Sequence, residues 1–347
     1  MKACVLHGIG DLRHQEVPAP EPGKGEVLVK IKASGVCGSD VPRVFTKGTY
    51  SFPTIPGHEF AGQIVALGEG TDPALLNQKA AVFPLLPCMK CESCQIGEYA
   101  QCKNYNYFGS RCDGGFAEYI SVPVWNLVPV PENLSYEEAA MAEPAAVAIH
   151  ALRQASVEIG DQVAIFGAGP IGLMLARWAE AWGAGKVLLV DIDRGKTEFA
   201  RKLGFQYVWN SADGDAVQWI EEVTGGRGAD VAVEGAGVSV TLEQCLKCTR
   251  AFGRVVAMGN PAGDMKLSQK AYWELLRKQL RIYGTWNSSY VSLPKNDWKL
   301  AIDAMAQGKI DVKPFITHRC TLEQCNPAME MMRDRKEFFN KVMFVME

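Results

Sequence analysis

Val163-Ala164-Ile165-Phe166-Gly167-Ala168-Gly169-Pro170-Ile171-Gly172 joins an apolar run to a Gly-x-Gly-x-x-Gly turn. A helical stretch follows as far as Trp182, and a second apolar run, Lys186-Val187-Leu188-Leu189-Val190, ends on Asp191. Strand, glycine turn, helix, strand and acid, in that order, form the pattern of a dinucleotide-binding βαβ unit. Gly167 permits the tight turn, Gly169 lets the backbone approach a pyrophosphate, and Gly172 lets the helix pack closely on the strand. The helix opens with Pro170 and Ile171, and its N-terminus offers amide groups and positive dipole to phosphate. Asp191 stands where a ribose 2′-hydroxyl needs an acceptor. The competing reading is an ordinary βαβ unit without a ligand, and the acid at the end of the second strand argues against it.

The chain around this stretch has 347 residues, a length that suggests two domains. Its net charge of −3 gives no reason to expect nucleic acid or an acidic membrane surface as partner. It contains no apolar run long enough for a transmembrane helix. The first residues, Met1-Lys2-Ala3-Cys4-Val5-Leu6-His7, read as a strand rather than a signal-peptide core. Four of the 11 cysteines crowd into residues 88–102, which points to metal rather than disulfides and to a reducing, cytoplasmic setting.

Residues 1–150 are rich in short β-like runs with Gly and Pro between them. Glu26 to Ala33 alternates with period two, and residues 62–66 and 117–122 are further strand candidates. Together they suggest a barrel or sandwich-like β domain. Tyr136 to Ala155 reads as helical, alanine-rich and apolar, with Pro144 an interruption or a first-turn residue. From Asp161 strands and helices alternate, with strands at 162–166, 186–190, 206–209, 230–233, 254–258 and 280–283. Such alternation gives a parallel, doubly wound sheet. Helices are expected at Trp298 to Gln307 and Thr321 to Arg335, with a closing strand over Lys341 to Val345. That last segment is too small for a core of its own, so it is expected to return to the first domain.

Cys88-x-x-Cys91-x-x-Cys94-x7-Cys102 places four thiolates on one loop, at spacings that suit a closed tetrahedral structural zinc site. Disulfides and an iron–sulfur cluster are the alternatives. Cys112 reads as a free thiol, and Cys245-x-x-Cys248 as packing inside a helix. Cys37, His58, Glu59 and Glu143 are scattered along the chain, and each alone is weak evidence for a metal ligand.

Gly57-His58-Glu59-Phe60-Ala61-Gly62, Cys37-Gly38-Ser39-Asp40, the four-cysteine loop, Gly114-Gly115-Phe116-Ala117-Glu118-Tyr119 and the glycine turn occur in one order along the chain. In these motifs the sequence resembles the zinc-dependent medium-chain alcohol dehydrogenases, over essentially its whole length, and most of all their polyol branch. Val36-Cys37-Gly38-Ser39-Asp40-Val41-Pro42-Arg43 and Phe108 to Tyr119 are similar to the galactitol-1-phosphate 5-dehydrogenase group. The resemblance implies an α/β protein. A GroES-like β-rich catalytic domain would take residues 1–150 plus 286–347, and a Rossmann NAD-binding domain residues 151–285.

It further implies one structural and one catalytic zinc per chain. The catalytic ion would be held by Cys37, His58 and a glutamate. Glu143 matches the family's Glu-Pro position, and Glu59 is either a direct ligand or one that exchanges with water. No cysteine lies near 143, so a harder oxygen replaces the sulfur of the classical pattern. This suits a polyol and also admits manganese. Ser39 would take the substrate's first hydrogen bond, with the proton passing through water and Glu59.

Asp191 and Asp193 would repel a 2′-phosphate and favour NAD, with Arg194 as a complication. Gly259 ends a later strand that lines the cofactor crevice. Arg43, Lys47 and Arg111 are candidates for a substrate phosphate, unless they are solvated surface charges. Trp286, Asn287 and Tyr290 line the substrate pocket or fill packing. The expected reaction is hydride transfer from a secondary hydroxyl of a polyol or polyol phosphate, in a homodimer or homotetramer. Against it stand an inactive structural relative, which would lack the ligand set, and a zinc-free quinone reductase, which would lack the cysteine loop as well.

Overall fold

A computed structural model describes residues 1–261 and 263–347. The chain divides into two compact units, Met1–Pro144 with Ser289–Glu347, and Ala145–Ser288.

The first unit is built on the long strand Glu26–Val36. Its first half alternates buried and half-buried residues, and its last four are all buried. One edge pairs antiparallel with Glu59–Leu67. The other edge is shared between Tyr119–Pro123, beside residues 26–30, and Lys341–Val345, beside residues 33–36. Lys79–Val82 and Leu127–Pro129 extend one side of the sheet and Ile316–Cys320 the other. Val27, Val29, Ile31, Phe60 and Ile64 form a core on this sheet. A second core gathers Cys4, Leu6, Phe116, Met329 and Phe344 between the N-terminal hairpin and helix Cys325–Asp334.

Register does the positioning. Glu59 stands opposite Gly35, and Val342 stands opposite Val36, so Lys341 arrives level with Cys37. Three residues remote in sequence meet where one strand ends.

Two helical stretches are each divided in the structure. The stretch from Tyr136 forms helices Tyr136–Ala140 and Ala142–Gln154. A capping box of Ser135 and Glu138 starts the first. Pro144 falls in the first turn of the second, where its missing N–H costs no helical bond. The helix expected from Thr321 is a 3-10 turn, Leu322–Gln324, followed by Cys325–Asp334. Pro327 must lie in a first turn, and that fixes where the α-helix starts.

In the second unit six parallel strands lie in the order Tyr207–Asn210, Lys186–Asp191, Gln162–Phe166, Ala229–Glu234, Thr249–Ala257, Arg281–Gly284. The sequence therefore runs outward twice from the centre, and the direction reverses between Gln162–Phe166 and Ala229–Glu234. In doubly wound sheets ligands bind at that switch point, beyond the C-terminal ends of the strands. Ala229–Glu234 is buried throughout, as a central parallel strand covered on both faces should be.

Candidate active site

The glycine turn sits at the switch point. Gly167 has φ +114°, a conformation open to glycine and strained for other residues. A Cβ on Gly172 would land on the Gly167 carbonyl oxygen, so this glycine packs the helix against the turn itself. A Cβ on Gly169 would meet nothing within 4 Å. No protein contact requires glycine there, and the space is what an approaching pyrophosphate needs. Gly169 caps helix Pro170–Ala181 with no side-chain bond to its first amides, which leaves the amides around Ile171 for a ligand.

Asp191 is buried at the end of its strand, and its carboxylate accepts from Ala168 N–H at 2.8 Å and Asp193 N–H at 2.9 Å. It ties the glycine turn to the next loop and retains lone pairs for a ribose. Arg194 is paired with Asp213, and Lys196 Nζ lies 3.6 Å from Asp191. Gly259 donates its N–H to the Glu234 carbonyl at 2.9 Å, beside the loop of Gly235 to Gly237.

The four loop cysteines converge, with Sγ separations of 3.5 Å for Cys91–Cys94 and 4.0 Å for Cys88–Cys94. Sulfurs bound tetrahedrally to zinc stand ~3.8 Å apart. All 11 cysteines are free of disulfides. The Lys103 and Cys94 amides favour the Cys91 thiolate, whose pKa falls to about 6. Burial instead pushes Cys112 up to about 11 and Cys248 up to about 12, which makes both inert packing thiols.

The second group is Cys37, His58 and Glu59, whose ligand atoms lie within 4.8 Å of one another. Sulfur, nitrogen and oxygen donors together fit zinc. Behind them lies Asp40, fully buried. It accepts from Cys37 N–H at 3.0 Å and from Arg43 Nη1 at 2.8 Å, and stands 3.5 Å from His58 Nδ1. That leaves Nε2 of His58 for a metal. Burial works against the Asp40 carboxylate, but His58 and Arg43 outweigh it and hold its pKa at about 2. Burial likewise disfavours charged His58, and Asp40 and Cys37 reverse this, raising its pKa well above the ordinary value.

Glu59 is bound by Lys341 Nζ at 2.6 Å, and both side chains are 3% exposed or less. Glu143 is buried but outside the group of three, and its Oε1 accepts from the Tyr107 hydroxyl at 3.4 Å. Burial, helped by nearby Glu59, pushes the Glu143 pKa up to about 7. Ser39 precedes the short helix Asp40–Pro42 with its side chain forming no cap.

The three cations expected near a phosphate differ in their surroundings. Arg43 is bound to Asp40 and lies 3.3 Å from His58 Nδ1. Lys47 is exposed at the end of the π-helical turn Arg43–Lys47. Arg111 lies between two rings, 4.1 Å from the centroid of Tyr50 and 4.3 Å from that of Tyr105. Tyr290 stacks on Phe83 at 4.3 Å and donates its hydroxyl to the Trp125 and Leu127 carbonyls, so it packs in the first unit's core. Trp286 is exposed.

Asp40 as a partner of His58, Lys341 and Tyr107 are additions from the structure. Asp40 had a signal, an acid three residues after a candidate ligand. Lys341 had a fainter one, a lone cation opening an apolar strand. Tyr107 had none.

Two family models match the chain: an alcohol dehydrogenase GroES-like domain over residues 23–132 and a zinc-binding dehydrogenase over residues 170–307. The galactitol 1-phosphate 5-dehydrogenase of Escherichia coli (strain K12) is 36% identical over 330 residues, covering 95% of each chain. The sorbitol dehydrogenase of Bacillus subtilis (strain 168) is 34% identical, over 99% of this chain and 96% of that one. The crystal structure of galactitol-1-phosphate dehydrogenase from Escherichia coli superposes with a TM-score of 0.93 at 35% identity, covering 100% of both chains.

Proposed function

Because the chain belongs to the zinc-dependent medium-chain alcohol and polyol dehydrogenase family, we propose that it oxidises a secondary hydroxyl of a polyol phosphate, of the galactitol 1-phosphate kind, with NAD as hydride acceptor. The observation that carries the phosphate is Arg111. Its guanidinium carbon lies over two aromatic rings and its Nη1 donates to the Tyr105 carbonyl at 3.4 Å, which holds the group in place with Nε and Nη2 directed to a bidentate anion. Kinetics on a free polyol and its phosphate test this. R111Q should raise KM for the phosphate at least tenfold and leave the free polyol unchanged; no preference for the phosphate in the wild type overturns the reading. An unphosphorylated, sorbitol-like substrate is the second reading, favoured by the sorbitol dehydrogenase likeness, and arabitol phosphate is a variant of the first.

Bound zinc supplies a Lewis acid that stabilises a developing alkoxide, and bound NAD supplies the hydride acceptor. The protein's own residues do the rest. Cys37, His58 and Glu143 present donors to the metal, with Glu59 able to exchange with water. Asp40 fixes the imidazole. Ser39 accepts the substrate's hydroxyl proton as it passes its own to water, and the relay continues to Glu59, whose Oε2 is held by Lys341. S39A should cut kcat while the chain keeps both zinc ions. The four loop cysteines hold a structural zinc, which leaves no open position for substrate.

NAD over NADP follows from Asp191 and Asp193 beside the ribose, with Arg194 engaged by Asp213 and so withheld from a 2′-phosphate. Comparable kcat/KM with NADP would overturn it. The chain works as a homodimer or homotetramer in the cytoplasm. Among the described residues the outer edge of strand Arg281–Gly284 has no partner strand, and Ile282 on it and Tyr272 and Trp273 on the preceding helix Gln269–Arg277 are exposed, as a surface paired with a second copy would be.

A further inference from the structure

We propose that Tyr107 is the positioning residue that holds Glu143 ready for the metal and so sets how long the metal stays; this rests on the ligand reading above. Tyr107 ends the two-residue strand Asn106–Tyr107, which pairs with Leu85–Leu86. Its ring lies against His58, centroids 5.7 Å apart and planes tilted 55°. Tyr105 meets it edge-on at 6.4 Å, and Tyr105 is itself covered by Arg111. The ring is walled in, and this aims the hydroxyl.

The hydroxyl donates to Glu143 Oε1, which occupies one carboxylate oxygen and leaves Oε2 for a metal. Glu143 makes no other hydrogen bond recorded among the described residues. It is also not one of the three groups already clustered within 4.8 Å. Without Tyr107 a buried carboxylate in a first helical turn would be free to rotate. With it, one rotamer is selected and the entropic cost of ligation falls. Hydrogen-bond partners of metal ligands typically contribute ten- to a hundredfold in metal affinity.

Tyr107→Phe keeps the ring contacts and removes only this bond. The full-length protein, loaded with zinc, is mixed with a chromogenic chelator and zinc release is followed. Wild type should release two ions per chain in two phases, and C37S identifies the phase that belongs to Cys37. In Y107F that phase should quicken about ten- to a hundredfold, with the four-cysteine phase and the melting temperature unmoved. In an E143A background, which removes the acceptor, Y107F should add nothing further, because the bond acts through the Glu143 side chain. An unchanged release rate, slower release, equal quickening of both phases, or full additivity with E143A overturns the proposal. A wild type that binds a single zinc overturns the ligand reading itself, and the role of Tyr107 falls with it.

Discussion

Gly35 is small for a reason outside its own strand. A Cβ there would collide with Glu59 Oε2, the oxygen that Lys341 binds. Gly35→Ala should displace Glu59 and break its pair with Lys341. A buried charge left without its partner costs about 3–5 kcal/mol. Thermal melting should therefore show a strongly destabilised first unit, and metal analysis a loss of the Cys37 site. A second expectation concerns pH. In metal-stripped protein the Glu143 pKa lies near 7, above its unfolded value. The folded state therefore holds the proton more tightly than the unfolded one. That contribution is complete below about 4.5 and disappears as pH rises through 7, on the order of 3 kcal/mol at most. Denaturant unfolding of the stripped protein between pH 5 and 8 should show this fall, and E143Q should flatten it.

Legibility at this scale followed distance along the chain. The glycine turn and Asp191 are local, and periodicity and spacing carry them. Cys37, His58 and Glu59 needed a resemblance, since nothing in their spacing says they meet. Lys341 is 282 positions from Glu59, and only the sheet register brings them together.

Among elements, the helix after the glycine turn is the most exacting. Its Gly172 packs on the Gly167 carbonyl, so Gly172→Ala must push the helix away from the turn. NAD affinity, measured by calorimetry, should fall at least tenfold while the metal content stays the same. The four-cysteine loop is the connection between strands Leu85–Leu86 and Asn106–Tyr107. A two-residue strand pair is marginal alone, and a metal held by the four cysteines would supply the missing constraint. Cys94→Ser should therefore free the loop to proteolysis and also loosen zinc at Cys37, whereas Y107F leaves the loop's zinc in place. Element types were readable where hydrophobic periodicity was strong, as in the parallel strands. Boundaries were not, because Pro144 and Pro327 act through helix position, which periodicity does not report.

For the molecule as a whole, the second unit is one continuous segment, while the first is made of two segments separated by it. The continuous unit has every strand of its sheet in one stretch and can complete itself once synthesised. The sheet that carries Cys37 and Glu59 cannot, because Lys341–Val345 pairs with its longest strand. On a ribosome, then, the second unit can be finished while the first still waits for residues 341–345. Until they emerge, Glu59 has no cation and the end of strand Glu26–Val36 has an open edge. Strand Lys341–Val345 acts as a completion check, and a chain lacking it would leave the Cys37, His58 and Glu59 cluster without its buried lysine.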